Sequence, residues 1–134
     1  MSSNRHNARR AAVQALYQWD LTQQHAHDIE SSFAQIHDML KVDRKYLSEL
    51  LKEIPRHDEE LEDTITPFIG REFKVLDPVE RAILRLGTYE LKYRPDVPKN
   101  VVLNEMIELA KVFGSDHSYK FINGVMDKLA KSLR

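Results

Sequence analysis

The stretch DPVERAILRLGTYELKY, residues 77–93, decides the fold class. Asp77 offers an N-cap oxygen, Pro78 suits the first turn, and Glu80 stands where a capping box needs it, so a helix begins here. Val79, Ala82, Ile83, Leu86 and Tyr93 fall on one helical stripe, while Leu84 and Leu91 widen the apolar surface to a second face. A helix apolar on two faces needs cover on both, which makes it the central post of a helical body. Gly87 sits in its middle, where glycine costs about 1 kcal/mol relative to alanine. Its use there predicts a neighbour packed closely against that point.

Four helical patterns precede the post. Residues 4–21 space Ala8, Ala11, Ala12, Ala15, Leu16 and Trp19 helically, with Val13 and Tyr17 on adjoining stripes. After a polar link at residues 23–27, Asp28 can cap a helix that turns Ile29, Phe33, Ile36 and Leu40 into the core. Asp43 caps a third, with Tyr46, Leu47, Leu50, Leu51 and Ile54 inward, ending around Pro55 because proline disfavours a helical conformation in the residue before it. A fourth runs from about Asp58 to Phe68 and buries Leu61, Ile65 and Phe68, and residues 70–76 then link it to the post.

Two patterns follow. Residues 94–98 form a rigid turn, and Pro98 opens a helix with Val101, Val102, Met106, Leu109, Ala110 and Phe113 at helical steps, ended by Gly114. Asp116 or Ser118 caps the last helix, with Phe121, Val125 and Leu129 on one stripe and Ile122 and Met126 beside it. No strand pattern occurs. The expectation is an all-α chain of about seven helices, one domain over residues 1–134, with an N-terminal bundle of about 1–70 and a C-terminal bundle of about 71–134 packed into one body.

A chain of 134 residues suits one core, since at that size about two-thirds of the unfolded surface is buried. The absence of cysteine excludes disulfides, thiolate metal sites and sulfur redox catalysis, and agrees with a reducing cytoplasm. The N-terminal MSSNRHN lacks the apolar core of a signal peptide, and no run approaches the roughly 20 apolar residues of a membrane span. A soluble, cytoplasmic protein with no membrane partner is therefore expected.

Formal net charge is only −1, but the charges are unevenly placed. Arg5, Arg9 and Arg10 stand in the first ten residues without an acid; Asp58, Glu59, Glu60, Glu62 and Asp63 form an acidic run; Lys120, Lys128, Lys131 and Arg134 outweigh Asp127 near the end. Arginines at a helix N-terminus meet the positive end of the macrodipole, unfavourable by about 0.3–1 kcal/mol each. Either they pair with the acidic run or they hold an anionic ligand.

Signs of catalysis are thin. None of the six histidines has the spacing that puts two ligands on one helix face, so no metal is expected, and no residue pattern calls for a cofactor. The acids at 58–63 have no apolar flank to raise a pKa and read as a solvated face. Phosphate loops and nucleophile elbows are absent, and an enzyme is not expected. Lys120, Phe121 and Asn123 are more suggestive: a cation for phosphate, a ring for base stacking and an amide for a base edge. The helical spacing of Phe121 with Val125 also fits a core residue. Arg85, Glu90 and Glu105 lie beside apolar stripes and fit an internal ion pair between the C-terminal helices.

The runs RRAAVQALYQW (9–19), VERAILRLGTYEL (79–91), DVP (96–98), NEMIELAK (104–111) and KFINGVMD (120–127) resemble the bacterial transcription antitermination factor NusB family, over nearly the whole chain. The resemblance implies two three-helix bundles with an extra helix, and RNA binding without catalysis. It implies pairing with NusE, a ribosomal small-subunit protein, and binding of that pair to boxA RNA in ribosomal RNA leaders. It further implies action on RNA polymerase together with NusA and NusG. By position, Arg5, Arg9 and Arg10 resemble the family's arginine-rich RNA-binding segment, Phe68, Lys120 and Phe121 match its RNA surface, and Tyr17, Glu80 and Arg81 match the surface that receives NusE. Two positions depart from the pattern: Ser2, Ser3 and Asn4 make the N-terminal arm less basic, and His117 stands where an acid is common. A NusB-like domain also begins an RNA cytosine methyltransferase family, but 134 residues leave no room for a methyl-donor-binding unit, so a free-standing factor is expected. Monomer and homodimer both stay open.

Overall fold

A computed structural model describes residues 2–134; Met1, the first residue of the weakly basic arm, lies outside the described residues. These fold into seven α-helices and two short 3₁₀ turns, with no strand among them. The chain divides into two compact units, Met1–His57 and Asp58–Arg134.

The first unit holds α1 (Ser2–Thr22), α2 (Ala26–Ile36) and α3 (Arg44–Arg56), each packed on the other two. On α1, Ala8, Ala11, Ala12, Val13, Ala15 and Leu16 are buried, as the spacing predicts. The helix closes at Gln23, whose φ of +58° is left-handed. Its backbone N–H donates to Trp19 O (2.8 Å), and its side-chain amide donates to Trp19 O (3.3 Å) and Asp20 O (3.0 Å). These bonds satisfy carbonyls that the helix end leaves open, offsetting the strain of that conformation.

α2 departs from the sequence expectation at both ends. Its N-cap is His25, whose Nδ1 accepts from the His27 N–H (3.2 Å), while Asp28 lies within the first turn, where its charge suits the dipole. Its apolar stripe breaks off: Ile29 is buried, but Ile36 is 78% and Leu40 88% exposed. The helix stops at Ile36 because His37 turns extended, its ring stacked on Phe33 at 4.1 Å. Asp38 Oδ1 then accepts from the Leu40 N–H (2.9 Å), a local bond that competes with another helical turn. α3 begins as expected, with Asp43 Oδ1 accepting from the Tyr46 N–H (3.0 Å), and buries Tyr46, Leu47, Leu50, Leu51 and Ile54. It runs through Pro55 to Arg56.

The second unit holds α4 (Asp58–Ile65), 3₁₀ turns at Thr66–Phe68 and Phe73–Val75, α5 (Pro78–Tyr93), α6 (Lys99–Phe113) and α7 (Ser118–Leu133). α5 is its post: it packs on α4, α6 and α7, and every residue from Ala82 to Leu91 is buried. Asp77 caps it through the Val79 N–H (2.8 Å), but Glu80 forms no capping box; it accepts from the Ser118 hydroxyl (2.9 Å) and ties α5 to α7. A Cβ at Gly87 would stand 2.6 Å from Met126 Cε and 2.9 Å from Met106 Cγ, so the expected close packing is real.

Helix α4, which the 70–76 link would leave with the N-terminal helices, belongs to this second unit. Arg85 of α5, 2% exposed, donates to Asp58 (2.9 Å) and Glu62 (3.1 Å) of α4. Glu60 accepts from the Tyr93 hydroxyl and pairs with Lys92. The acidic run is therefore partly an ion-pairing face, with Arg85 paired to Asp58 and Glu62. The bond to Glu60 raises the Tyr93 pKa to about 12, with burial and the nearby negative charge adding to it. At the far end, the Arg134 guanidinium donates to four carbonyls, those of Glu90 (3.1 Å), Leu91 (3.1 Å), Arg94 (2.9 Å) and Val97 (2.6 Å), closing the C-terminus of α5. Among the described residues no helix is long and apolar enough to cross a membrane.

Candidate nucleic-acid interface

In the N-terminal unit the three arginines have different fates. Arg5 lays its guanidinium 4.2 Å from the centre of the Tyr46 ring, and Arg9 shares that ring at 5.7 Å. Such a placement holds a planar donor by cation–π attraction. Arg9 is 2% exposed and offers no free surface to a ligand, whereas Arg5 is half-buried and Arg10 exposed. Asn7 Nδ2 donates to Lys41 O (2.9 Å) and the Asp43 N–H donates to Asn4 O (3.0 Å), so the start of α1 is anchored to the segment before α3.

In the C-terminal unit a second basic and aromatic patch forms at the start of α7. Lys120 and Asn123 are exposed and Phe121 is half-buried. The core alternative for Phe121 is thus only half met: part of the ring is covered and part is open. Phe68, expected on a buried stripe, is half-buried in the 3₁₀ turn that follows α4, and that turn packs on α7. The sequence reading missed Arg71, whose guanidinium lies 5.0 Å over the Phe121 ring. Gly70, with φ of +69°, makes the left-handed step that delivers it, a conformation glycine adopts without a Cβ penalty. A glycine followed by an arginine at the start of a linker was the only available signal. A cation over a half-open ring can hold a phosphate while the open part of the ring stacks a base.

The residues expected to receive a protein partner differ in their freedom. Tyr17 is exposed on α1. Glu80 is held by Ser118, and Arg81 donates to Lys74 O (2.8 Å) and Leu76 O (2.7 Å), fixing the linker ahead of α5. His117 is the exposed residue preceding α7 and makes no side-chain cap. Among the described residues no group of three or more histidines and acids is placed to hold a metal.

An all-α chain of two helical units, each holding arginine against an aromatic ring, is the class that this geometry defines. Residues 6–131 match the model of the NusB family, and the chain belongs to that family. It is 51% identical to the transcription antitermination protein NusB of Alcanivorax borkumensis, over 98% of this chain and 88% of that one. It is 50% identical to the protein of the same name from Actinobacillus succinogenes, over 98% and 92%. Among solved structures, T. maritima NusB superposes with a TM-score of 0.80 at 32% identity, covering 95% of this chain and 90% of that one. A structure described as antitermination factors NusB and NusE in complex with dsRNA superposes with a TM-score of 0.86 at 26% identity, covering 98% and 99%.

Proposed function

We propose that this chain is a non-catalytic, cytoplasmic transcription antitermination factor. It binds boxA RNA of ribosomal RNA leaders as a heterodimer with NusE and joins RNA polymerase together with NusA and NusG. Membership in the NusB family carries this reading, and the relative solved with NusE and RNA supports the partners. The residues assigned to RNA contact are, in the N-terminal unit, Arg5 and Arg10 on α1, with Arg9 as the buried brace of Tyr46, and, in the C-terminal unit, Phe68, Arg71, Lys120, Phe121 and Asn123. For NusE contact the residues assigned are Tyr17 in the N-terminal unit and, separately, Glu80 and Arg81 in the C-terminal unit, the last two acting through the linker and α7 that they hold.

Fluorescence anisotropy of labelled boxA, a scrambled single strand and a duplex, each with and without NusE, tests the proposal. The expected result is a preference for boxA that strengthens when NusE is added. Equal affinity for boxA and the scrambled strand in the presence of NusE would refute it and favour a purely protein-binding module. Phe121→Asp and Arg71→Glu should each weaken boxA binding with an intact melting transition, and loss of the transition in Phe121→Asp would return that ring to the core.

A further inference from the structure

α7 contains a glycine that the fold does not need. Of the chain's four glycines, Gly70 makes a left-handed step, a Cβ at Gly87 would collide with Met126, and one at Gly114 would stand 2.5 Å from Ser118 Cβ. Gly124 has no such reason. It lies well inside α7 (Ser118–Leu133), is exposed, and a Cβ there would meet nothing within 4 Å. Glycine inside a helix is unfavourable relative to alanine, so this position gives up stability that an alanine would restore. The neighbour that the glycine lacks inside the chain is to be sought outside it, because a missing Cβ lets a ligand touch the helix backbone itself.

Helical side chains lean toward the N-terminus, so a side chain at 124 would lie over the turn that carries Lys120 and Phe121; glycine leaves that turn bare. Lys120 and Lys128 stand one turn before it and one turn after it. Both are exposed, and neither enters an ion pair among the described residues. Asp127, the only acid of α7, is taken up by Lys131 at 3.0 Å. We propose that Gly124 is where the ribose–phosphate backbone of single-stranded RNA closes on α7, with its phosphates on Lys120 and Lys128. A protein segment would also fit the bare turn, but a strand with a phosphate at every nucleotide meets the free cation at each end of it as well. Sugar and phosphate carry no sequence information, so the contact is blind to sequence. The proposal rests on the RNA-binding reading above for its ligand, and adds Gly124 and Lys128 to it.

Gly124→Ala and Gly124→Gln separate a ligand contact from a role in the fold. Both should raise Tm by a few degrees, because each replaces glycine with a better helix former. Anisotropy of labelled boxA with NusE should nonetheless show weaker binding. The loss should be smaller for alanine and about tenfold or more for glutamine, the worth of one stacked base lifted from the turn. The scrambled strand should lose by the same factors. Lys128→Gln should lower the slope of log K against log salt by about 0.7. A fall in Tm would assign the glycine to the fold, and unchanged RNA affinity would remove the contact. An unchanged salt slope would take the phosphate off Lys128, and a loss confined to boxA would put base edges, not the backbone, at Gly124. Weakened association with NusE in the absence of RNA would give the bare turn to a protein. Each of these results overturns the proposal. If the unaltered chain with NusE binds boxA and the scrambled strand equally while the glutamine variant weakens both, the antitermination reading alone fails.

Discussion

α5 and α2 both carry an apolar stripe at helical spacing, widened to a second face in α5, and they meet opposite outcomes. In α5 ten consecutive residues, Ala82 to Leu91, are buried. In α2 only Ile29 is buried, and Ile36 at its end is largely exposed. The difference lies in the neighbours. α5 has α4, α6 and α7 around it, whereas α2 packs on α1 and α3. Periodicity names the side a helix would bury; the count of partners decides whether it does.

Truncations should bring out this contrast most sharply. Leu86→Ala, at a fully buried site, should cost about 2–5 kcal/mol in urea unfolding, because it leaves a cavity in a crowded post. A loss near zero would show that α5 relaxes freely and is no post. Arg134→Ala removes donors to four carbonyls and should cost about 1–2 kcal/mol. Faster hydrogen exchange confined to the last turn of α5 and residues 94–98 is the expected signature; a uniform change would place the role of Arg134 elsewhere.

A pH effect tests the α4–α5 contact alone. The folded protein holds Tyr93 protonated to about pH 12, above its ordinary 10.0. Stability from this group is full below pH 10.0 and is lost as pH climbs toward about 12. Tyr93→Phe should flatten that part of the stability curve relative to the unaltered chain, and tyrosinate absorbance should lose its latest-titrating component. An unchanged curve would detach Tyr93 from Glu60. Smallest of all, Ile36→Ser should shift stability by no more than about 0.5 kcal/mol; a loss comparable to that of Leu86→Ala would mean that the end of α2 is covered in solution.

Much of the candidate site was legible because its residues are local. Lys120, Phe121 and Asn123 lie within one helical turn at the start of α7. Arg71 was not legible, since only Gly70 and the packing of the Thr66–Phe68 turn on α7 bring it over Phe121. The burial of Arg9 was equally hidden: Tyr46, the ring it shares with Arg5, comes from α3.

The sequence by itself determined the helical class, the starts of α3 and α5, the place of Gly87 and the family, because caps, spacing and steric need act within a few residues along the chain. Only the tertiary structure decided that α4 joins the C-terminal unit, that Glu80 bonds Ser118, and that Ile36 and Leu40 stay outside. Those outcomes depend on partners many residues away, whose positions follow from how whole helices pack and not from any local preference.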